Sequence, residues 1–350
     1  MGVSDCLRDR ECPSTTPAVG ASGLLLRYPF GVTWLVTGGA GYIGSHVVRH
    51  LLGADIGVVV LDDLSTGRRG FVPEGISFVE ASLLDTEAVT RALKDHRATG
   101  VIHIAGFKFA GISVEKPLHT YEQNVVATMS LLEAMEAADV GHIVFSSSSS
   151  VYGNAASGLV TEDNPFNPTS PYGESKVIGE WLLRNQGLAR GVNHTSLRYF
   201  NVVGSGHKDL PDVSPYNLFS MVFAGLERDE VPVIFGDDYE TPDGTCVRDY
   251  IHVSDLAAAH VAAAKRMAAG QPIEPAYNLG SGDGTSVAEM MSAIARVTGN
   301  HFTPEIGPRR AGDPARVVAS GELAARDLGW AMTHSVDEMI SSALEARASI

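Results

Sequence analysis

The sequence predicts an α/β fold in which a doubly wound parallel sheet carries a smaller, interleaved C-terminal lobe. From Thr33 onward, short apolar runs rich in β-branched residues alternate with segments of helical spacing. Beyond about Gly204 this regularity gives way to longer loops rich in Pro, Gly and Asp. The alternation is typical of a parallel sheet with helices on both faces, and the looser region predicts a lobe built over that sheet.

Six runs before Gly204 predict strands: "TWLVTGG", "VVVLDD", "ISFVEA", "VIHIAG", "HIVFSSS" and "TSLRYFN". We expect the fifth of these strands to end at Phe145. Three later runs, "VPVIFG", "DYIHV" and "AYNLG", interrupt the loops of the lobe. The alanine-rich "HVSDLAAAHVAAAKRMA" predicts a helix that is capped near Asp255 and packs back on the first domain. We therefore expect a first domain over 32–203 with a return segment near 248–268, and a second lobe over 204–345.

Composition limits the class of protein. The chain has 350 residues, 44% of them hydrophobic and 19% charged, which is the balance of a compact globular protein with one large domain or two. A net charge of −15 disfavours nucleic acid and anionic membranes as partners, although a few local arginines would still hold a small anionic substrate. No apolar run has the length of a membrane span and no signal peptide is evident, so a cytoplasmic protein is predicted.

The first 31 residues predict a poorly ordered extension. They show no sustained period of a helix or strand and are interrupted by Pro, Gly and Ser. We expect this segment to be dispensable, with Val32 as an alternative start of the folded chain. Cys6 and Cys12 lie in it and Cys246 stands alone, so neither a disulfide framework nor a metal site is predicted.

A glycine-rich turn joins the first predicted strand to the first helix. In "LVTGGAGYIGSHVVRHLL", the glycines Gly38, Gly41 and Gly44 stand where a Cβ would obstruct a tight turn, the approach of a pyrophosphate and close helix packing. The N–H groups and positive dipole at the start of the helix favour phosphate. This arrangement predicts a Rossmann-type dinucleotide-binding domain.

The second strand ends in Asp62, eighteen positions after Gly44. A carboxylate there accepts hydrogen bonds from the adenosine ribose hydroxyls and repels a 2′-phosphate, which favours NAD over NADP. Arg68 and Arg69, a few residues on, are the feature that would fit NADP. The alternative is that Asp62 and Asp63 only open a turn.

Three residues predict the reacting group. Ser148 in "FSSSSSVYG" follows a parallel strand, and "SPYGESK" places Tyr172 and Lys176 four positions apart on the next helix. All three can converge where ligands bind such sheets. A tyrosine with its ordinary pKa near 10 is a poor base at neutral pH, and we expect the Lys176 ammonium and an oxidised nicotinamide to lower it. The alternatives are a flexible serine loop and two unconnected residues on a surface helix.

Taken together, the motifs resemble the UDP-glucose 4-epimerases of the extended short-chain dehydrogenase/reductase superfamily. The resemblance covers residues 33 to about 345. It rests on "LVTGGAGYIGSH", "VIHIAGFKFAGISVEKP", "NVVAT", "FSSSSSVYG", "SPYGESK", "LRYFN", "GTCVRDYIHVSDLA", "YNLGSG" and "PRRAGDPA".

The resemblance implies a reaction without net redox change, with Tyr172 as proton acceptor, Lys176 beside it and Ser148 holding the sugar. It implies cofactor contacts at Gly38, Gly41, Tyr42, Ile43, Gly44, Asp62, Asp63, Ala105, Lys108, Asn124, Lys176 and Tyr199. It implies substrate contacts at Ser148, Tyr172, Asn201, Asn217, Leu218, Arg248, Arg310, Asp313 and Val317. It also implies a homodimer through helices near residues 120–138 and 172–187, whose sequences are more apolar than wet helices need.

Two arginines support the substrate assignment independently. Arg248 and Arg310 offer planar, permanently charged donors for a diphosphate in an acidic protein. The alternative is that Arg248 pairs only with Asp249, and Arg310 with Asp313.

Some positions depart from the family pattern. Ser82 stands where an aspartate usually contacts the adenine, Ile112 where glutamate is frequent, and Ser320 where aspartate or asparagine is frequent. Ser149 and Ser150 replace the Asp-Glu pair that dehydratases of the same fold use to remove water. A dehydratase is therefore disfavoured. A uronate decarboxylase is also disfavoured, because the chain lacks an obvious acid for that kind of substrate recognition. A non-catalytic NAD-binding regulator stays as the alternative outside enzymes. Val317 is small, which predicts room at carbon 2 of the sugar for an N-acetyl group.

Overall fold

The structure, a computed structural model, describes residues 31–153, 159–215, 217–310 and 313–349. The predicted N-terminal extension, with Cys6 and Cys12, therefore lies outside the described residues except for Gly31. Within the described ranges, the strands are β1 Thr33–Thr37, β2 Gly57–Asp62, β3 Ser77–Glu80, β4 Gly100–His103, β5 His142–Ser146, β6 Leu159–Val160, β7 Asn193–Tyr199, β8 Asn201–Val203, β9 Val233–Phe235, β10 Val247–Arg248, β11 Tyr250–His252, β12 Ala276–Leu279, β13 Thr285–Ser286, β14 Glu305–Gly307 and β15 Arg316–Ala319.

The α-helices of the same ranges are α1 Tyr42–Gly53, α2 Thr86–Asp95, α3 Ala110–Glu115, α4 Pro117–Tyr121, α5 Ala127–Ala138, α6 Pro171–Arg190, α7 Leu218–Leu226, α8 Val253–Ala268, α9 Val287–Thr298, α10 Glu322–Leu328 and α11 Val336–Arg347. A π-helical turn, Glu122–Val126, joins α4 to α5, and short 3₁₀ turns occupy Arg69–Phe71 and Ser149–Val151. The predicted fifth strand runs one residue further than expected, to Ser146.

The main sheet has seven parallel strands in the order β3-β2-β1-β4-β5-β7-β12. Winding reverses between β1 and β4, which are hydrogen-bonded neighbours although they are far apart in the chain. In open sheets of this kind, ligands bind outside the carboxyl ends of the strands at such a switch point. The predicted fold class is confirmed.

Alternation along β1 explains why helices cover both faces. Val36 packs in the core shared with α1 and α8, whereas Leu35 packs in the core shared with α2 and α5. All six residues of β2 are buried, as expected for a strand covered on both sides. The sheet is therefore held rigid beneath its carboxyl edge, which positions the loops described below.

The chain returns to the main sheet after entering the lobe. Helix α8 packs against α1 as predicted, and β12 then adds to the sheet beside β7. The cap of α8 differs from the prediction, because the His252 side chain accepts from the backbone N–H of Ser254 at 3.0 Å. Asp255 lies in the first turn, and its carboxylate accepts hydrogen bonds from Thr333 instead.

The lobe contains a second, four-stranded sheet in the order β13-β10-β15-β6. Strand β8 pairs with β11, and β9 pairs with β14. Strand β6 comes from the chain before β7, so segments from before and after residue 204 are interleaved in this sheet. The division at 203/204 stays a prediction, and β12 extends the returning part of the chain beyond 268.

Candidate active site

The glycine turn is tightly built. Gly38 follows β1 with φ +70°, and a Cβ there would lie 2.8 Å from the Ala105 nitrogen. A Cβ on Gly44 would lie 2.0 Å from the Gly38 oxygen, so α1 packs directly on the turn. Gly39, which the sequence analysis did not single out, is equally restricted, because its Cβ would lie 2.8 Å from a Val60 methyl. The signal for Gly39 was present as the second glycine of "TGG".

The start of α1 fits a phosphate. Gly41 is the N-cap and offers no side chain to the N–H groups of the first turn. Its own Cβ would meet only the Gly38 oxygen, at 3.2 Å, so close approach of a ligand remains as the reason for glycine there. Tyr42 is buried and its hydroxyl donates to the Gly204 carbonyl at 2.5 Å, while Ile43 packs on the core. The contacts that we expect between these two residues and the cofactor would therefore be made by their backbone N–H groups.

Asp62 lies at the carboxyl end of β2 and braces the glycine turn. Its two oxygens accept from the backbone N–H groups of Ala40 and Leu64, each at 2.9 Å. Burial raises the pKa of Asp62, and these two hydrogen bonds oppose that rise. Asp63 is exposed and accepts from the Ser65 N–H at 2.9 Å, so it does open a turn.

The loop after β4 is held by Asn124, which lies in the π-helical turn. Its side chain accepts from the Phe107 N–H at 2.7 Å, and donates to the Phe107 carbonyl at 2.9 Å and the Ser175 hydroxyl at 2.8 Å. Asn124 thus ties the loop to α6, while Lys108 on the same loop is exposed. Single π turns of this kind occur frequently at functional sites.

His103 continues this support beneath the sheet edge and was missed by the sequence analysis. Thr128 donates to the Asn124 carbonyl at 2.5 Å, so it accepts from His103 Nε2–H at 3.1 Å. His103 Nδ1 then accepts from the Thr37 hydroxyl at 2.9 Å. Burial lowers the pKa of His103 to about 3, which keeps the ring neutral. The available signal was a histidine inside the apolar run "VIHIAG".

The three predicted reacting residues lie together. Ser170 caps α6 and Pro171 begins it, which places Tyr172 on its first turn. Tyr172 and Ser148 are both buried, and the Ser148 side chain lies close enough to influence the pKa of the Tyr172 hydroxyl. One turn later, the Lys176 ammonium donates to the Ser146 carbonyl at 2.9 Å and lies 5.9 Å from the centre of the Tyr172 ring.

Burial is the largest influence on the pKa values of Tyr172 and Lys176. Burial raises the pKa of Tyr172, and the neighbouring Ser148 side chain opposes the rise without reversing it. Burial also lowers the pKa of Lys176 to about 8, against the opposing charge of Glu180. The predicted lowering of the Tyr172 pKa by the Lys176 ammonium together with an oxidised nicotinamide stays a prediction, because burial acts here without the cofactor charge.

Tyr199, at the end of β7, belongs to the same neighbourhood. Burial raises the pKa of Tyr199, and the nearby Ser146 side chain opposes that rise. Ser146 in turn lies 2.7 Å from Nε2 of His260, whose Nδ1 meets the Leu256 carbonyl at 2.9 Å. These contacts fix Tyr199 between the main sheet and α8.

The predicted substrate residues of β8 and α7 lie on the lobe side. Asn201 donates to the Asp249 carbonyl at 2.8 Å, which joins β8 to the segment between β10 and β11. Asn217 is the N-cap of α7 and its side chain donates to Asp212, and Leu218 begins the helix. The backbone at the start of α7 therefore presents N–H groups that no Asn217 side-chain cap satisfies.

The contacts of Arg248 and Arg310 differ from the alternative in which Arg248 pairs only with Asp249, and Arg310 with Asp313. Arg248 forms an ion pair with Asp313, with nitrogen and oxygen 3.3 Å apart, and donates to the Pro314 carbonyl at 2.8 Å. Arg310 lies 4.1 Å above the Phe235 ring. The alternative pairing of Arg248 with Asp249 is wrong, because Asp249 is buried and accepts from the backbone of the lobe sheet.

The remaining positions singled out from the sequence make only local contacts or pack within their own elements. Val317 is half-buried in β15 and is the register partner of Arg248. Ser82 follows β3, where its hydroxyl accepts from the Leu84 N–H at 3.2 Å. Ser320 accepts from the Glu322 N–H at 3.2 Å, and Ile112 lies half-buried in α3.

Comparison with known proteins identifies the family. Residues 34–280 match the model of the NAD dependent epimerase/dehydratase family. The chain belongs to that family. NAD is accordingly its cofactor.

Individual relatives agree with this family assignment. A UDP-glucose 4-epimerase of Azospirillum brasilense is 42% identical over 315 residues, covering 89% of this chain and 90% of that protein. One of Streptomyces lividans is 42% identical over 316 residues, covering 89% and 95%. A crystal structure of UDP-glucose 4-epimerase from Brucella ovis in complex with NAD has a TM-score of 0.85 and 38% identity, covering 91% of this chain and 98% of that one.

A further solved structure concerns breadth of substrate. The UDP-Glc/GlcNAc 4-epimerase of Campylobacter jejuni has a TM-score of 0.80 and 34% identity, covering 91% of this chain and 100% of that one.

Among the described residues, no helix of this epimerase/dehydratase family member combines the length and apolar character needed to cross a bilayer.

Proposed function

We propose that the protein interconverts UDP-glucose and UDP-galactose by transient oxidation at carbon 4 of the sugar. The observation that carries the proposal is the convergence of the buried Tyr172 and Ser148 with the Lys176 ammonium at the carboxyl edge of the main sheet. When bound, NAD supplies reversible hydride acceptance. The chain itself must bind the sugar, move one proton and exclude water.

Each reacting residue has a separate role in this proposal. Tyr172 accepts the proton of the 4-hydroxyl and later returns it, and Ser148 holds the same hydroxyl by a hydrogen bond. Because burial raises the pKa of Tyr172, the chain alone is a weak base, and a positive cofactor charge is needed to favour the phenolate. Proton removal is thereby coupled to occupancy of the cofactor site.

The diphosphate and uracil are assigned to the lobe. Arg248 and Arg310 are the cations that we assign to the diphosphate, with Asn201, Asn217 and Leu218 completing the nucleotide site. Arg248 is held by Asp313 and the Pro314 carbonyl, so its guanidinium is oriented before a ligand arrives. Pre-ordering of this kind lowers the entropy lost on binding.

We further propose that UDP-N-acetylglucosamine is a second, slower substrate. Val317 is small and is the register partner of Arg248, and this supports a position for it beside the assigned diphosphate site. An acetamido group that clashes is rejected strongly, whereas spare room costs the smaller hexose only a few contacts. The dehydratase alternative is disfavoured, since Ser149 and Ser150 form a short 3₁₀ turn without a carboxylate.

The proposal is tested with purified protein and UDP-galactose. We expect UDP-glucose to accumulate until both sugars are present, as measured by chromatography of the hexoses released with mild acid. A 4-keto-6-deoxy product would favour a dehydratase, loss of carbon dioxide from a UDP-uronate would favour a decarboxylase, and NAD binding without turnover of any of these would favour a regulator.

A further inference from the structure

Behind the reacting residues lies a buried ion pair. Arg198 of β7 donates from Nε and Nη2 to the two carboxylate oxygens of Glu180, at 2.9 and 2.6 Å. Both side chains are less than a tenth exposed. The third donor of Arg198, Nη1, reaches the Tyr152 hydroxyl at 2.7 Å. A fully desolvated pair is costly to keep, and it is often no more stabilising than apolar residues of the same volume.

The Glu180 carboxylate also contacts the serine segment directly. It accepts from the Ser147 hydroxyl at 2.6 Å. Ser147 lies between Ser146, whose carbonyl accepts a hydrogen bond from the Lys176 ammonium, and Ser148, a buried neighbour of Tyr172. One hydrogen bond therefore orients both neighbours, because the three residues are consecutive in the chain.

Glu180 follows Lys176 by four positions on α6, a spacing that brings side chains together on one face of a helix. Both are buried, so little water screens their charges. Among the described residues, the charged and titratable groups that face Lys176 are Glu180 and Tyr172 on α6 and His103 on β4, and Glu180 is the anion of this group.

We propose that Glu180 is a positioning residue of the reaction centre. Its carboxylate fixes Ser147, and with it the Ser146 carbonyl and the Ser148 hydroxyl, and supplies the negative charge that stabilises the Lys176 ammonium. Arg198 anchors that carboxylate in a bidentate geometry. This assignment rests on the proposed function for its effect on turnover, and it makes a separate statement about Lys176 that needs no turnover.

The charge part is tested by the titration of Lys176 itself. The chain has six lysines, so ¹³Cε-lysine spectra contain few signals, and Lys176→Met assigns the relevant one. Glu180→Gln removes the charge and keeps an acceptor for Ser147, but it leaves Arg198 buried without a partner and endangers the fold. The decisive variant is therefore the double substitution Glu180→Gln with Arg198→Met, in which the buried pair is neutral.

For the NAD-loaded double variant we expect the Lys176 midpoint to move at least about one pH unit lower than in the unaltered chain. We expect kcat to fall at least about tenfold, with KM for UDP-galactose within about threefold, and the alkaline limb of the kcat profile to move with the midpoint. The control is Glu136→Gln, which breaks the exposed ion pair with Arg190. It should change neither the Lys176 midpoint nor kcat.

The hydrogen-bonding part is tested by Ser147→Ala. We expect a fall in kcat with a smaller shift of the Lys176 midpoint than in the double variant, because the charge of Glu180 stays in place. Glu180→Asp should likewise lower kcat with a smaller shift of the midpoint.

A purely structural ion pair gives the opposite results. In that case the folded double variant recovers the unaltered midpoint and kcat, and this outcome overturns the proposal. If the unaltered chain shows no epimerase activity, the proposed function fails, while an unmoved Lys176 midpoint in the double variant still overturns the charge assignment by itself.

Discussion

Tyr172 carries the proposed chemistry with a single oxygen. Tyr172→Phe removes the proton acceptor and almost no volume from a buried position. We expect kcat to fall by about 10²- to 10⁴-fold, the range typical of a lost general base, while bound NAD and the unfolding midpoint stay close to normal. Tyr121→Phe, on the π-turn side of α4, is the matched control and should keep its activity. Turnover within about threefold of normal in Tyr172→Phe contradicts the proposed role.

Val317 sets the proposed breadth of substrate by size alone. Val317→Tyr should suppress kcat/KM for UDP-N-acetylglucosamine by at least about tenfold and leave that for UDP-galactose within about threefold, because only the acetamido group needs the space. The two substrates are measured side by side before and after the change. Equal losses for both would mean that Val317 does not border the sugar.

Some residues could be predicted from the sequence because their chemistry is local. Gly38, Gly44 and Asp62 stand at fixed offsets from one strand and helix, and the spacing of Tyr172 and Lys176 is that of one helical turn. Glu180 and His103 were not predicted, since a buried polar residue is recognised only by the partner that satisfies it. Those partners, Arg198 and Thr128, come from distant parts of the chain.

At the scale of the element, α1 offers a test with its own internal control. A Cβ on Gly44 would lie 2.0 Å from the Gly38 oxygen, whereas a Cβ on Gly53 of the same helix meets nothing within 4 Å. We expect Gly44→Ala to displace α1 from the turn, to lower the free energy of unfolding by more than about 1 kcal/mol and to release NAD. Gly53→Ala should retain NAD and be neutral or stabilising by up to about 1 kcal/mol.

These outcomes are measured by thermal unfolding and by the NAD content of the purified variants. Full NAD content in Gly44→Ala would show that α1 tolerates displacement from the turn. Release of NAD from both variants would mean that the helix, not the contact, is sensitive.

The strands before Gly204 could be predicted because each is a short apolar run between turn residues. The place of β12 could not, since "AYNLG" resembles the runs of the lobe and its pairing with β7 spans about eighty residues of chain. The π-helical turn at Glu122–Val126 also has no sequence signal of its own, because it depends on how Asn124 is held by Phe107 and Ser175.

For the whole molecule, exposed apolar side chains on α4 to α6 support the expected homodimer. They are Leu118, Val126, Met129, Trp181 and Leu188. We expect the mass in solution at micromolar concentration to be twice the 37.0 kDa of one chain. Met129→Lys should lower it toward one chain, whereas Met221→Lys, similarly exposed on α7, should not. Light scattering on the three proteins decides, and a monomer before substitution contradicts the expectation.

Buried neutral histidines predict sensitivity to acid. Burial lowers the pKa of His46 and His103 to about 3 and of His252 and His260 to about 4. The unfolded chain binds protons near pH 6.5 and the native chain does not, so stability is lost as pH falls from 6.5 toward 4. The slope approaches about 1.4 kcal/mol per pH unit for each such histidine. Urea unfolding at pH 7.5, 6 and 5 measures it, and constant stability would contradict this account.

The position of β12 also governs how the chain must fold as it is synthesised. Strand β7 is complete at Tyr199, but the neighbour that covers its free edge lies at Ala276–Leu279. Until that segment leaves the ribosome, the nascent sheet presents a row of unpaired backbone groups on β7, the kind of edge that invites pairing with another chain. A ribosome that pauses between these two points therefore holds an intermediate whose sheet still has an open edge at β7.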